Sequence, residues 1–164
     1  MRKLQTLRGL FKTKKMRKIT HIVIHCTATI EGINFSATDI DRWHKQKGWK
    51  GIGYHYVIGI DGTIEKGRAE YEMGAHVKGY NRNTIGIVYV GGLNKKRTPK
   101  DTRTRKQKRT LKQLLIVLKQ KYPEATILGH RDFSIDSNNN GVIEPFEFIK
   151  ICPCFNAKKE YASL

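Results

Sequence analysis

Two histidines and a cysteine, far apart in the sequence, have side chains that could bind a metal ion. His25 and His130 each end a short apolar run, and Cys152 lies downstream of both. Two imidazoles and one thiolate form a three-ligand set for zinc that leaves a fourth position for water, as in catalytic sites. The alternative is three unrelated residues, since no compact motif such as HExxH joins them. Spacing alone leaves both interpretations open.

The segment between His130 and Cys152 contains a second candidate metal site. Residues 136–147, DSNNNGVIEPFE, match a calcium-binding loop position by position. Its predicted calcium ligands are Asp136, Asn138, Asn140, Val142 through its carbonyl, and Glu147. Two clear helices do not flank the segment, so the prediction is a single EF-hand-like loop with a structural calcium ion. A polar turn that only mimics the motif is the alternative.

The charge of the chain predicts an anionic partner. The chain has 32 basic and 14 acidic residues, a formal net charge of +18. Such a charge favours binding to nucleic acid, a membrane surface or an anionic cell envelope. The basic residues show no aromatic interleaving or known motif, so no specific nucleic-acid partner is expected. Residues 1–18 form a basic tail with a candidate apolar face, which is either an interfacial helix on an anionic membrane or a solvated segment.

The length and the cysteine count suggest how the rest is organised. One domain, residues 19–164, accounts for the chain beyond the tail, and we expect a monomer. Three cysteines do not make a disulfide framework, which favours synthesis in a reducing compartment. The first residues lack the apolar region of a secretory signal, and no apolar run reaches the length of a membrane helix. We therefore expect synthesis in the cytoplasm without a signal peptide.

Strands and helices that would position these residues can be predicted from the apolar pattern. The run at 22–24 predicts a buried strand ending at His25, and ATILGH predicts another ending at His130. YHYVIGIDGTIEKG predicts a hairpin, so the sheet should be partly antiparallel. Capping boxes at Ser36 and Thr104 predict two helices. The fold class is mixed α/β, with a central mixed sheet flanked by helices.

Four segments carry a resemblance to a known family. IVIHCTAT, DIDRWHKQKGWKGIGYHYVIGIDGTIEKGR, GAHVKGYNRNTIGIVYVGG and KICPCF occur in this order. Together they resemble the zinc-dependent N-acetylmuramoyl-L-alanine amidases of the phage-lysozyme and peptidoglycan-recognition-protein type, the type 2 amidases. The resemblance extends from about Ile19 to Phe155. It implies the type 2 amidase fold, with the calcium-like loop as an insertion before the last zinc ligand.

The resemblance also implies roles for individual residues. One catalytic zinc ion would be bound by His25, His130 and Cys152. Tyr54 matches the family's catalytic tyrosine, and Lys150 matches the lysine that stabilises the transition state. Some relatives have a carboxylate in place of the cysteine, and members that bind without cutting lack the tyrosine or the cysteine. This chain keeps both residues, which favours catalysis.

The activity implied is peptidoglycan hydrolysis. Zinc-activated water would cleave the amide bond between N-acetylmuramic acid and the L-alanine of the stem peptide, and His76 and Asn81 fall in a segment that lines the family's substrate groove. A phage-type endolysin or an autolysin that reaches the cell wall after release would fit this activity. The alternatives are a non-catalytic peptidoglycan-binding module on the same fold and a basic nucleic-acid-binding protein.

Overall fold

A computed structural model describes residues 17–164, so the predicted basic tail lies almost entirely outside the described residues. The described chain contains a five-stranded sheet with helices on both faces, which confirms the predicted mixed α/β class. None of its helices is long and apolar enough to cross a membrane.

The central sheet consists of β1 (His21–Cys26), β3 (Tyr56–Ile58), β4 (Ile64–Lys66), β5 (Thr84–Tyr89) and β7 (Thr126–Gly129). Its strand order is β4-β3-β5-β1-β7. The inner strands run parallel, and β4 pairs antiparallel with β3. A separate parallel pair is formed by β2 (Thr29–Ile30) and β6 (Gly92–Leu93).

The predicted hairpin forms at one edge of the sheet, between β3 and β4. Its connection spans residues 59–63, longer than a two-residue turn around Asp61-Gly62. Gly62 has a φ of +85°, a left-handed conformation that glycine adopts without a steric penalty.

Three α-helices complete the described fold: α1 (Ala37–Gln46), α2 (Arg105–Lys121) and α3 (Ala157–Glu160). Both predicted capping boxes form. The Ser36 hydroxyl accepts from the Asp39 amide at 3.1 Å, and the Thr104 hydroxyl accepts from the Gln107 amide at 3.1 Å. These caps satisfy amide groups that the first helical turn leaves unpaired, which fixes where α1 and α2 begin.

Alternation along β1 divides the core between the two sheet faces. One face packs against α2 and contains the side chains of Ile22, Ile24, Cys26, Ile85, Ile87, Leu111, Leu115 and Leu118. The other packs against α1 through Ile40, Ile52, Val57, Val88 and Val90. Because successive strand residues point to opposite faces, His25 points to the α1 face while Cys26 points to the α2 core.

The register of β1 and β7 brings two candidate ligands to one edge of the sheet. Ile24 lies opposite Gly129, the last residue of β7, so His25 on β1 and His130 just after β7 follow side by side. The carboxyl ends of parallel strands share an edge, which is where open α/β sheets usually have their sites. Residues 130–133 then form a 3₁₀ turn that leads away from the sheet.

A buried arginine fixes the chain that follows the third candidate ligand. The Arg103 side chain is 1% exposed and forms ion pairs of 2.8 Å with both Asp101 and Glu160. Its guanidinium carbon lies 3.2 Å from the ring centroid of Phe155. Arg103 therefore ties the segment before α2 to the segment just after Cys152.

Replacing Arg103 with methionine should lower the free energy of unfolding by roughly 2–3 kcal/mol. The substitution leaves Asp101 and Glu160 without their cation, but both carboxylates are partly exposed and can regain water, so the loss should be smaller than for a fully buried pair. Urea unfolding at pH 7 measures it. Arg109→Met, on the exposed side of α2, should change stability by less than about 0.5 kcal/mol.

The loss of unfolding free energy caused by Arg103→Met should become smaller at low pH. Burial alone would raise the pKa of Asp101 and Glu160, but hydrogen bonds and charge from Arg103 outweigh it and hold both pKa values below the ordinary range. Groups with a lowered folded pKa contribute stability above their unfolded pKa of about 4, and lose it as the pH falls through the folded pKa. An Arg103→Met deficit as large at pH 3 as at pH 7 would contradict this account.

Candidate active site

Three side chains from separate parts of the chain point a donor atom at one centre. Nδ1 of His130 lies 3.1 Å from Nδ1 of His25, and Sγ of Cys152 lies 3.8 Å from the same nitrogen. All three donor atoms lie within 4.8 Å of one another. The structure therefore brings together the three residues that the sequence predicted as ligands.

The donor set fits a zinc ion in both chemistry and spacing. Zinc bonds of about 2.1 Å to nitrogen and about 2.3 Å to sulfur place tetrahedral ligands about 3.3 to 3.6 Å apart, close to the separations from His25. Imidazole and thiolate suit zinc, whereas calcium and magnesium prefer oxygen ligands. Three protein donors also leave one tetrahedral position for water or substrate.

Backbone hydrogen bonds hold Cys152 beside the two histidines. The Cys26 amide donates to Sγ of Cys152 at 3.3 Å, and the Arg131 amide donates to the Cys152 carbonyl at 2.9 Å. The first bond places a donor on the sulfur atom, where it stabilises negative charge. The second joins the residue after His130 directly to Cys152, so the position of one ligand depends on that of the other.

Burial keeps the histidine ligands neutral. It is the largest cause of a pKa well below the ordinary value for His25, and the charges of His76, His130 and Lys150 act in the same direction. Burial, followed by the charge of Lys150, lowers the pKa of His130 to about 4. Neutral imidazole has a free lone pair on one nitrogen, so both side chains are in the metal-binding form near neutral pH.

Tyr54 lies against the same centre. Its ring centroid is 5.1 Å from that of His25 and 5.5 Å from that of His44. Burial, with a smaller effect from the thiols of Cys152 and Cys26, raises the pKa of Tyr54 above its ordinary value. The phenol therefore keeps its proton near neutral pH and can donate a hydrogen bond.

Lys150 stands where a cavity of about 280 Å³ meets a larger cleft of about 650 Å³. The cavity contains the three donor residues and Tyr54, and the cleft has the apolar walls Trp49, Val77, Phe133 and Ile149. Lys150 and His130 line both spaces. An extended ligand in the cleft would thus present a bond to the metal centre beside a cation.

His76 and Asn81, predicted to contact substrate, lie at the inner side of the cleft. His76 is 8% exposed, with Nδ1 located 2.9 Å from Nε2 of His25 and Nε2 located 3.2 Å from the Thr84 hydroxyl. Asn81 Oδ1 accepts from the amides of His76 and Val77 at 2.8 and 2.9 Å. Their substrate role stays a prediction, but the structure shows both engaged with the protein.

The predicted calcium loop is an exposed surface loop between His130 and Cys152. At position six Gly141 has a φ of +82°, and its amide donates to Asp136 Oδ2 at 2.7 Å. Glu147, at position twelve, accepts from the Ser137 amide at 2.7 Å. The carboxylates at positions one and twelve thus accept hydrogen bonds from amides of the same loop.

Two features of the site were not predicted from the sequence. Cys154 lies beside Cys26, with their sulfur atoms 3.8 Å apart. Thr84 is 1% exposed and bonds to His76. A polar residue at the start of the apolar run TIGIVYV was the signal for Thr84, whereas no sequence pattern indicated that Cys26 and Cys154 would meet.

Comparisons with known proteins show what the chain is similar to. A family model described as N-acetylmuramoyl-L-alanine amidase matches residues 15–141, more than half of the chain. The endolysin of Klebsiella phage KP32 is 36% identical over 145 residues, which cover 88% of this chain and 87% of that protein. The endolysin of Escherichia phage T7 is 38% identical over 146 residues, which cover 88% and 87%.

A solved structure extends the similarity to three dimensions. The N-acetylmuramoyl-L-alanine amidase LysC from Clostridium intestinale URNW superposes with a TM-score of 0.66 at 32% sequence identity. The match covers 88% of this chain and 83% of that one. The family match ends at residue 141, so Lys150 and Cys152 lie beyond it, whereas the relatives and the solved structure cover most of the chain.

Proposed function

The chain belongs to the N-acetylmuramoyl-L-alanine amidase family, and on that premise we propose how its residues carry out the reaction. It is a peptidoglycan hydrolase, and the bond it cuts joins N-acetylmuramic acid to the L-alanine of the stem peptide. We assign it to the phage-type endolysins. The observation that carries the mechanism is the convergence of His25, His130 and Cys152 at the end of a cleft beside Tyr54 and Lys150.

The family is generally zinc-dependent, and His25, His130 and Cys152 would hold the ion here. Zinc at such a site lowers the pKa of water to about 7 and polarises a carbonyl group. The protein's own contribution starts with binding, because the cleft beside the donor residues offers apolar walls against which the substrate would lie. Holding the substrate in place converts a bimolecular reaction into an effectively unimolecular one.

Two side chains then act on the charge that develops during amide hydrolysis. The carbonyl oxygen gains negative charge as the carbon becomes tetrahedral, and Lys150, which lines both the cavity and the cleft, would stabilise it. Tyr54 keeps its proton and supplies a neutral hydrogen-bond donor to the same centre. Both interactions strengthen in the transition state, so they raise kcat rather than substrate affinity.

Catalysis is favoured over the alternative of a binding module. A module that only holds peptidoglycan needs the cleft but has no use for a three-donor centre with a protonated phenol and a cation beside it. His25, Cys152, Tyr54 and Lys150 all line the same cavity.

Purified cell walls test the activity directly. Incubation should release new L-alanine amino termini and no new reducing sugars, because the bond cut is an amide. Removing metal with a strong chelator should abolish turnover, and added zinc should restore it. Turnover by a sample verified to be free of metal would refute the zinc assignment, and an absence of new amino termini with metal bound would refute the amidase.

Tyr54→Phe and Lys150→Ala should each reduce kcat by about 10²–10³-fold with little change in zinc content, because they remove transition-state interactions rather than ligands. Single-substrate kinetics on a soluble muropeptide, with metal analysis of each variant, measures both. Lys112→Ala, an exposed lysine of α2 on the opposite sheet face, is the control and should keep its rate. A near-normal kcat in either active-site variant shows that the role assigned to that residue is wrong.

The 136–147 loop is proposed as a calcium site that orders the metal centre. Support comes from the twelve-position match and from how the loop is attached. The Ile149 amide donates to Ser134 Oγ at 3.0 Å, and the Arg131 amide donates to the Cys152 carbonyl at 2.9 Å. These bonds close the base of the loop beside His130 and Cys152, so ordering the loop would restrict both ligands.

Calcium should raise the melting temperature of the zinc-loaded protein in a concentration-dependent way, as any ligand of the native state does. Glu147→Ala removes the position-twelve carboxylate and should abolish the shift. Calorimetric titration compares the two proteins, with Glu124→Ala, an exposed carboxylate outside the loop, as the control. If millimolar calcium gives no binding heat and does not change the melting temperature, the segment is only a polar turn.

We further propose that the protein acts on the bacterial cell wall after release from the cytoplasm in which it is made, and that residues 1–18 strengthen attachment to the anionic envelope. A variant without residues 1–16 should cut soluble fragments at the normal rate but act more slowly on whole envelopes. The difference should shrink as salt rises, because salt screens exposed charges. If the truncated and the full-length protein are equally active on whole envelopes at low salt, as on soluble fragments, the tail has no role in attachment.

A further inference from the structure

A buried histidine lies directly behind one of the proposed zinc ligands. Nδ1 of His76 is 2.9 Å from Nε2 of His25, and the two rings are nearly perpendicular, at 88°. The other nitrogen of His25, Nδ1, faces His130 and Cys152. We propose that His76 is a positioning residue, whose Nδ1 accepts a hydrogen bond from His25 and fixes the ring of His25 for metal binding. This inference rests on the zinc site proposed above.

The proton positions follow from the chemistry of the two rings. A neutral imidazole that offers Nδ1 to a metal must carry its hydrogen on Nε2. His25 then donates to Nδ1 of His76, which therefore has no hydrogen, so His76 carries its own hydrogen on Nε2. That nitrogen lies 3.2 Å from the Thr84 hydroxyl oxygen, which accepts it.

The chain of hydrogen bonds ends at the backbone carbonyl of Asn81, which can only accept. This oxygen lies 3.5 Å from the Thr84 hydroxyl, which can donate its own hydrogen to it. With the opposite proton order, Thr84 would donate to His76 and His76 to His25, and the hydrogen of His25 would be on Nδ1. That order blocks the nitrogen facing His130 and Cys152, so only one of the two orders is compatible with the metal.

The surrounding backbone gives the His76 ring little freedom to turn. A Cβ atom at Gly86 would lie 2.7–2.8 Å from three ring atoms of His76, and one at Gly74 would lie 2.5 Å from Cδ2. Both glycines therefore allow bare backbone to contact the ring. Asn81 holds the backbone of the same residue, because its Oδ1 accepts from the His76 amide at 2.8 Å.

This environment distinguishes positioning from substrate contact. A substrate-binding histidine must offer a ring nitrogen to the cleft, whereas both nitrogens of His76 already have partners in His25 and Thr84. Loss of the side chain should therefore appear first in metal affinity. Partners of metal-bound histidines are typically worth 10- to 100-fold in metal affinity or activity.

The test compares two substitutions of the same residue. His76→Leu removes the acceptor and should weaken zinc binding 10- to 100-fold in chelator competition. His76→Asn retains a carbonyl oxygen close to the position of Nδ1 and should recover most of that loss. His21→Leu, the same change at a histidine of β1 outside this chain of hydrogen bonds, should leave zinc affinity unaltered. Unfolding of the metal-free proteins verifies that each variant is folded.

Nuclear magnetic resonance of the zinc-loaded wild type, labelled with ¹⁵N-histidine, tests the same proposal without a variant. His76 should carry its hydrogen on Nε2, and His25 should show a slowly exchanging Nε2–H signal. A hydrogen on Nδ1 of His76 would overturn the proposal, as would unaltered zinc affinity in His76→Leu or equal losses in the leucine and asparagine variants.

The outcomes also separate this inference from the function on which it depends. If the wild type binds no zinc at His25, both proposals fail together. If the wild type binds zinc and cuts peptidoglycan while His76→Leu binds zinc equally well, only the role of His76 fails.

Discussion

The site depends on bringing three donor atoms from distant chain segments within 4.8 Å of one another. No local structure can do this, because His25 lies on β1, His130 in the 3₁₀ turn that follows β7, and Cys152 in a later loop. The parallel register of β1 and β7 sets the first two side by side, and the hydrogen bond between Arg131 and Cys152 sets the third. The sheet and the C-terminal segment are therefore both parts of the metal site.

Burial of polar groups is the second requirement, and it acts on several residues at once. It lowers the pKa of His25, His130 and His76, the last to about 3, with the charge of His55 as a smaller cause. It raises the pKa of Tyr54. The outcome is a set of neutral imidazoles and a protonated phenol around the metal position, with Lys150 as the cation at its mouth. Charge in the transition state would thus develop beside a neutral hydrogen-bond donor and a cation.

The C-terminal segment explains why a calcium-like loop and the proposed metal ligand Cys152 occur so close together. The loop leaves the fold after the turn at 130–133 and returns just before Lys150, and side-chain and backbone bonds join its two ends. On the far side of Cys152, Arg103 packs on Phe155 and pairs with Glu160. Cys152 is therefore held from both directions, by the base of the loop and by a buried ion pair.

The sequence by itself determined which residue types were available and where most elements begin. Short apolar runs, two capping boxes and a hairpin signal predicted the strands and helices, since these depend on local backbone and side-chain chemistry. The resemblance predicted the zinc ligands and the catalytic roles of Tyr54 and Lys150. Only the tertiary structure decided that both nitrogens of His76 are used inside the protein and that Cys154 meets Cys26. Such contacts join segments far apart in the chain, so they depend on strand register and packing, which no local pattern encodes.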